Sequence, residues 1–140
     1  MCEYIIFFTM TPFIEWSIHK LLHQYDNTNH MNHHIDVYSG KFHNFKTLNK
    51  VEYLPPIVIV IAYYFQYWYI LIFLSRYWII HTMIHYVDSD IIYLQQLKNH
   101  HMVHHKFKKY NFAVSGIYPD ILFGTYWGHH KLGDTPNPEF

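Results

Sequence analysis

Four short histidine clusters, two on each side of a long apolar run, constrain the fold of this chain more than any other feature. Together they hold ten of its fourteen histidines. They read His19-Lys-Leu-Leu-His23, His30-Met-Asn-His33-His34, His81-Thr-Met-Ile-His85 and His101-Met-Val-His104-His105. If all four build one site, the apolar run between the second and third clusters has to bring the chain back to the side from which it left.

The spacing within the clusters predicts helices that present imidazole rings on one face. Residues three or four positions apart are neighbours on a helix surface, so HxxxH directs two rings to one point and HxxHH directs three. Burying ten rings without partners would be costly, and metal ligation removes that cost. Structural zinc takes about four ligands and catalytic zinc typically three, so ten histidines exceed the needs of one ion and indicate two.

The ligand types favour iron. Imidazole suits zinc, copper, iron and nickel. The chain has no HExxH motif, so the zinc-protease interpretation lacks its glutamate base. The Glu-x-x-His pairs of carboxylate-bridged di-iron proteins are also missing. A pair of all-nitrogen sites in a membrane setting therefore predicts iron and O₂ chemistry.

Composition supplies the membrane setting and excludes other classes of protein. Aromatic residues make up 21% of the chain and charged residues only 14%, against about 25% charged residues in ordinary soluble domains. The formal net charge is zero and no basic stripe occurs, which excludes a nucleic-acid partner. Cys2 is the only cysteine, so a disulfide framework, a cysteine-based zinc site and an iron–sulfur cluster are excluded. At 140 residues we expect one domain, 1–140.

The pattern along the chain predicts helices around each cluster. Tyr4 to Ile14 leads into a helix that carries the first cluster, and a second helix begins near His30. The third cluster continues as helix to Tyr93, and Gln95 to Lys109 carries the fourth. The segment from 37 to 52 and the tail from 111 are polar or glycine-rich and predict loops.

The apolar run raises a geometric problem. Ile57 to Ser75 contains no formal charge, and as one helix it would be ~28 Å long, close to the thickness of a bilayer core. No glycine or proline lies between Pro56 and Gly116 to break it. One straight crossing would put His34 and His81 on opposite faces of the membrane. The alternatives are two half-helices or an oblique helix, and the sequence leaves them open.

The clusters and several shorter motifs resemble the fatty acid hydroxylase/sterol desaturase superfamily. The resemblance rests on the four boxes, on Pro55-Pro56, on Tyr110-Asn111-Phe112-Ala113-Val114-Ser115 and on Asp120-Ile121-Leu122-Phe123-Gly124-Thr125. It covers about 15–126, and the stretch from 101 to 125 looks most like the fatty acid 2-hydroxylase branch.

The resemblance implies an all-α fold in which membrane-embedded helices carry a histidine-rich helical cap on the cytosolic face, here in a reduced form of the family scaffold. It implies a non-haem di-iron oxidoreductase of the endoplasmic-reticulum membrane that hydroxylates or desaturates a fatty acyl or sterol C–H bond. It also implies O₂ as co-substrate, a cytochrome b5-type electron donor in trans, and zinc as a substitute metal on purification. The short scaffold leaves a homo-oligomer that completes it as one option. By box position, the implied ligands are His19, His23, His30, His33, His34, His81, His85, His101, His104 and His105.

Three further residues are candidates for supporting roles. We expect Asp120 and Glu15 to accept the free N–H of ligating imidazoles, a common arrangement around metal sites, and His100 to lie beside the ligands or on the surface. His43, His129 and His130 are expected to be surface residues. Three other functions stay open: a bis-histidine haem protein, a non-catalytic metal-binding membrane protein, and an inactive truncated relative of the enzymes.

Overall fold

The computed structural model describes residues 2–25, 29–38 and 50–128, and every regular element in these ranges is a helix. The helices are α1 (Cys2–Tyr25), α2 (Asn29–Tyr38), α3 (Lys50–Tyr64), α4 (Trp68–Tyr86), α5 (Ile92–Lys106) and α6 (Tyr118–Leu122). The predicted all-α fold is confirmed. So are the predicted helices around the first, second and fourth histidine clusters.

Helix α1 continues through Pro12 because neighbouring groups satisfy the carbonyl that a proline leaves without an intrahelical donor. Pro12 has no N–H to offer to the carbonyl of Phe8. The hydroxyl of Thr11 donates to that carbonyl at 2.8 Å, and the guanidinium of Arg76 on α4 donates to it as well. The proline therefore becomes a point of attachment between α1 and α4.

The apolar run folds as a helical hairpin, so of the two alternatives that the sequence left open the structure has two half-helices and not one oblique helix. Helix α3 ends at Tyr64, and α4 begins at Trp68. Between them Gln66 adopts a φ of 58°, and the N–H of Tyr67 donates to the carbonyl of Ala62 at 2.8 Å. The turn brings α4 back along α3. Packing of α4 against α1, α3 and α5 overrides the local preference of a sequence without glycine or proline.

In the described ranges, no helix combines the length and apolarity needed to cross a membrane. The membrane-spanning helix expected over 57–75 is therefore not found.

Helix α4 ends earlier than predicted, at Tyr86 rather than Tyr93. Val87 is extended, with φ −111° and ψ 125°. The following turn is held by the hydroxyl of Ser89, which accepts from the N–H of Ile91 at 3.2 Å. This break lets α5 fold back against α4, which brings His101 next to His85.

Two kinds of core hold the helices together. A small apolar cluster joins Ile84 of α4, Leu97 of α5 and Val114. Beside it lies a larger polar core built of buried histidine rings. Because so few large apolar side chains are buried in the described ranges, what occupies the polar core matters for the stability of the fold.

Candidate metal centre

Nine of the ten cluster histidines form two compact groups of nitrogen atoms. Within each group one ring nitrogen per residue lies within 4.8 Å of all the others. The first histidine group is His19, His23, His30, His34 and His104. The second histidine group is His33, His81, His85 and His101. All of these residues are buried except His23, which is partly exposed.

The groups do not follow the order of the clusters along the chain. Helices α2 and α5 supply histidines to both groups, whereas α1 serves only the first and α4 only the second. The HxxHH clusters make this possible, because adjacent histidines on a helix point in different directions. His33 and His34, for example, belong to different groups. Each HxxHH helix therefore holds the two groups side by side.

His105 lies between the two groups. Its Nε2 is 2.9 Å from Nε2 of His101 in the second group. Its ring centroid is 4.5 Å from that of His34 in the first group and 4.8 Å from that of His33 in the second. The structure thus brings all ten cluster histidines to one place.

The Nε2 atoms approach one another at the distances expected around a shared cation. Nε2 of His30 is 2.8 Å from Nε2 of His19, 3.0 Å from that of His23 and 3.2 Å from that of His34. In the second group the Nε2 atoms of His101 and His85 are 3.0 Å apart. Two nitrogens at right angles around an ion, each bound at ~2.0–2.1 Å, would be about 2.9 Å apart.

Hydrogen bonds among the rings cannot account for this crowding. A neutral imidazole has one N–H. Nδ1 of His19 lies 2.5 Å from the carbonyl of Phe112, and Nδ1 of His104 lies 2.7 Å from the carbonyl of Tyr110. A carbonyl only accepts, so each ring must donate from Nδ1, which leaves Nε2 as a bare lone pair directed at the other nitrogens. Several lone pairs facing one another are repulsive unless a cation lies between them, so the donor set fits a bound metal ion.

Burial keeps these rings neutral, as ligation requires. Loss of solvation lowers the pKa of His23 to about 4, and that of His30 and His85 to about 3. The same cause, reinforced by mutual repulsion between neighbouring rings, holds the pKa of a further set well below the ordinary value: His19, His81, His101, His104 and His105. At neutral pH each of them has a free lone pair for a metal.

The sequence model of the fatty acid hydroxylase family matches residues 4–125, most of the chain. The chain belongs to the fatty acid hydroxylase family. The matched range contains both histidine groups and the segment that follows α5. No curated protein and no solved structure matches the chain significantly. The family is one of oxidoreductases and the resemblance found in the motifs is confirmed, but the match does not separate the 2-hydroxylase branch from the others.

In this member of the fatty acid hydroxylase family, Asp120 organises the segment after α5. Its carboxylate is fully buried and accepts from the N–H groups of Phe112 and Ala113 at 2.8 and 2.9 Å, and from the hydroxyl of Thr125 at 2.7 Å. The fourth contact is with Nε2 of His100, at 3.0 Å. These bonds come from the main chain, from the hydroxyl of Thr125 and from a histidine outside the clusters, rather than from one of the ten cluster rings.

Glu15, like Asp120, binds the segment after α5. Its carboxylate accepts from the N–H and the hydroxyl of Ser115 at 2.8 and 2.7 Å, which attaches α1 to the same segment. Burial raises the pKa of this carboxyl, while the two bonds from Ser115 and the charge of Arg76 act in the opposite direction.

Main-chain carbonyls bind the outer nitrogens of two cluster imidazoles, and the sequence did not indicate these partners. Those of Tyr110 and Phe112 take the Nδ1–H role that we expected of carboxylates. No side-chain pattern could reveal them, because any residue type supplies a carbonyl. His100 is buried and stacks on Tyr126, with ring centroids 5.8 Å apart. His43, His129 and His130 lie outside the described residues.

Proposed function

We propose that this fatty acid hydroxylase holds two iron ions and uses O₂ to hydroxylate or desaturate a C–H bond of a lipid. The observation that carries the proposal is the pair of adjacent groups of buried, neutral imidazoles, in a chain whose family consists of oxidoreductases. The first histidine group would hold one ion and the second histidine group the other. His105 lies where it could complete either set.

Iron held by these imidazoles would supply the O₂ activation that breaking an unactivated C–H bond requires. Hydroxylation consumes one O₂, two electrons and two protons, and it yields the alcohol and one water. Desaturation consumes the same inputs and yields the alkene and two waters. Both reactions therefore need an external reductant, for which we propose a cytochrome b5-type donor in trans.

The protein's own contribution is to orient the imidazoles and to keep water from them. The ring of Phe112, 5% exposed, packs beside those of His19, His23 and His104, with centroids 6.0, 5.7 and 5.4 Å away. Its carbonyl fixes the tautomer of His19. The apolar ring and the fixed carbonyl together limit the number of geometries available to the ligands.

The surface of the α3–α4 hairpin supports a lipid substrate and a membrane location. No formal charge occurs from Leu54 to Ser75. Many large apolar side chains there are exposed, and those at and beside the turn are Tyr63, Tyr64, Phe65, Tyr67, Trp68 and Tyr69. His81 lies thirteen residues into α4 from Trp68, ~20 Å along the helix axis. We propose that the hairpin enters the lipid from its turn and leaves the histidine groups at the membrane surface.

Within this function we propose a fatty acyl or sterol substrate and the endoplasmic-reticulum membrane, with the histidines on its cytosolic side. Assignment to the 2-hydroxylase branch rests on the similarity of the stretch from 101 to 125 and is part of the proposal.

The test is lipid analysis of a host that lacks its own lipid hydroxylases, with and without the full chain, under ¹⁸O₂. Matched variants are His34→Ala in the first group, His85→Ala in the second, and Asn32→Ala on the exposed side of α2 as control. We expect a product carrying one ¹⁸O, or a new double bond, with the natural chain and with Asn32→Ala but with neither histidine variant. A chain that binds metal but changes no lipid would support the non-catalytic alternative, and a Soret band would indicate haem.

A further inference from the structure

Two carbonyls separated by one residue bind imidazoles from two different helices. The carbonyl of Tyr110 accepts from His104 on α5 at 2.7 Å, and the carbonyl of Phe112 accepts from His19 on α1 at 2.5 Å. Both histidines belong to the first histidine group. We call the segment Tyr110-Asn111-Phe112 the carbonyl clamp.

Asn111, at the centre of the clamp, has a backbone conformation that few residue types adopt. Its φ is 55°, in the left-handed region. Asparagine tolerates this region better than most residues, whereas a Cβ-bearing residue without a local polar side chain is strained there. This conformation directs the carbonyls before and after it toward two different helices.

The side chain of Asn111 uses both of its N–H groups and its oxygen in hydrogen bonds within the protein. It is fully buried. Its amide donates to the carbonyls of His100 and Trp127, both at 3.1 Å, and its side-chain oxygen accepts from the N–H of Trp127 at 2.7 Å. Its own N–H donates to the carbonyl of Thr125 at 2.9 Å. The clamp is thus tied to α5 on one side and to 125–127 on the other.

Asp120 holds the far end of the clamp. Its carboxylate accepts from the N–H groups of Phe112 and Ala113. The carbonyl of Tyr110 belongs to the peptide unit whose N–H, that of Asn111, is bound to Thr125. The carbonyl of Phe112 belongs to the unit whose N–H, that of Ala113, is bound to Asp120. Both carbonyls that the histidines contact therefore have fixed directions.

We propose that Asn111 is a positioning residue for one of the two metal sites. It holds the clamp so that His19 and His104 present Nε2, not Nδ1, to the ion in the first histidine group. The inference rests on the proposed two-metal function. Loss of the outer hydrogen-bond partner of a ligating histidine typically weakens metal binding about 10–100-fold. Since the clamp contacts two rings of the first group, the loss should be confined to that site.

The experiment measures Co²⁺ affinity of the full, metal-free chain in detergent, one site at a time. Replacing His81 and His85 by alanine leaves the first site, and replacing His23 and His34 leaves the second. In the first background, Asn111→Ala should weaken Co²⁺ binding about 10–100-fold and shift the Co²⁺ absorption maximum. In the second background we expect a change of less than about threefold. Asn111→Gly, which adopts positive φ without strain, should weaken the first site less than alanine does.

Ala62→Gly controls for a general loss of stability, because α3 supplies no histidine to either group. Any change that it causes in Co²⁺ affinity should be the same at both sites. The role of Asn111 is overturned if both Asn111 variants weaken Co²⁺ binding equally at the two sites, or if neither weakens it at the first site. Either result leaves the two-metal function standing. A chain with intact histidines that binds no Co²⁺ overturns both.

Discussion

The rings of His33 and His81 lie 5.2 Å apart, centroid to centroid, although a long apolar run separates them in the sequence. His33 is on α2, before the α3–α4 hairpin, and His81 is near the end of α4, after it. Their contact requires the hairpin to return the chain to the end from which it left. The turn at 65–67 is therefore a condition for the metal centre as much as a feature of the fold.

The turn makes Gln66 a test of this dependence. Proline at 66 would impose a φ near −65° where the structure has 58° and would remove the N–H that donates to Tyr63 at 3.1 Å. We expect Gln66→Pro to lower the free energy of unfolding by about 3 kcal/mol or more and to abolish metal binding, measured by denaturation in detergent and by bound metal.

Glycine and asparagine serve as the matched controls at 66. Glycine removes the cost of holding an L-residue in the left-handed region, about 1–2 kcal/mol. It also raises the entropy of the unfolded chain, which lowers the free energy of unfolding by about 0.5–1 kcal/mol. Both variants should keep the metal and lose no stability. Loss of metal with all three substitutions would show that the side chain of Gln66, rather than its backbone conformation, is needed.

The hairpin also shows which parts of the fold the sequence could predict. The spacing of the clusters predicted α1, α2 and α5 and the convergence of ten imidazoles, because helix periodicity is a local property. It left the turn open as one of two alternatives, because no glycine or proline marks the position where Gln66 has positive φ. Nor did it predict the roles of Tyr110 and Phe112, which act through main-chain carbonyls. Asp120 and Glu15 were predicted to accept from ligating imidazoles, but both carboxylates bind the segment after α5, and the one ring that Asp120 binds is that of His100, outside the clusters.

Glu15 provides a second prediction, on stability. Removing its carboxylate with Glu15→Ala leaves the buried N–H and hydroxyl of Ser115 without their acceptor, which should lower the free energy of unfolding by about 1–3 kcal/mol. Glu15→Gln keeps one acceptor oxygen and should cost less. Glu3→Gln, at an exposed position of the same helix, should change stability by under about 0.5 kcal/mol. If Glu15→Ala is as harmless as Glu3→Gln, the link between α1 and Ser115 is not stabilising.

The third prediction concerns pH. In the metal-free chain burial lowers the folded-state pKa of nine cluster histidines below 6.5, with His23 at about 4 and His30 and His85 at about 3. The unfolded chain therefore binds more protons between those values and 6.5, so stability is fully present above pH 6.5 and falls as the pH drops toward 3. Glu15 acts in the opposite sense because its pKa is raised, but it is one group against several.

Thermal unfolding of the metal-free chain from pH 7.5 to 4.5 measures this effect. We expect the melting temperature to fall steadily below pH 6.5. The histidine pair variants, His81→Ala with His85→Ala and His23→Ala with His34→Ala, should show a weaker dependence, because they have fewer buried rings to protonate. A melting temperature independent of pH over this range would mean that the rings are not held neutral by the fold.

The central claim, that the ten cluster histidines form two adjacent metal sites, is tested most directly by counting ions. The full chain is reconstituted with Fe²⁺ without oxygen, freed of excess metal and analysed for iron per chain by mass spectrometry. We predict about two ions for the natural chain and for Asn32→Ala, and about one for each pair variant, because each pair removes ligands from one group only. One ion or fewer in the natural chain, or two ions in either pair variant, would contradict the two-site account.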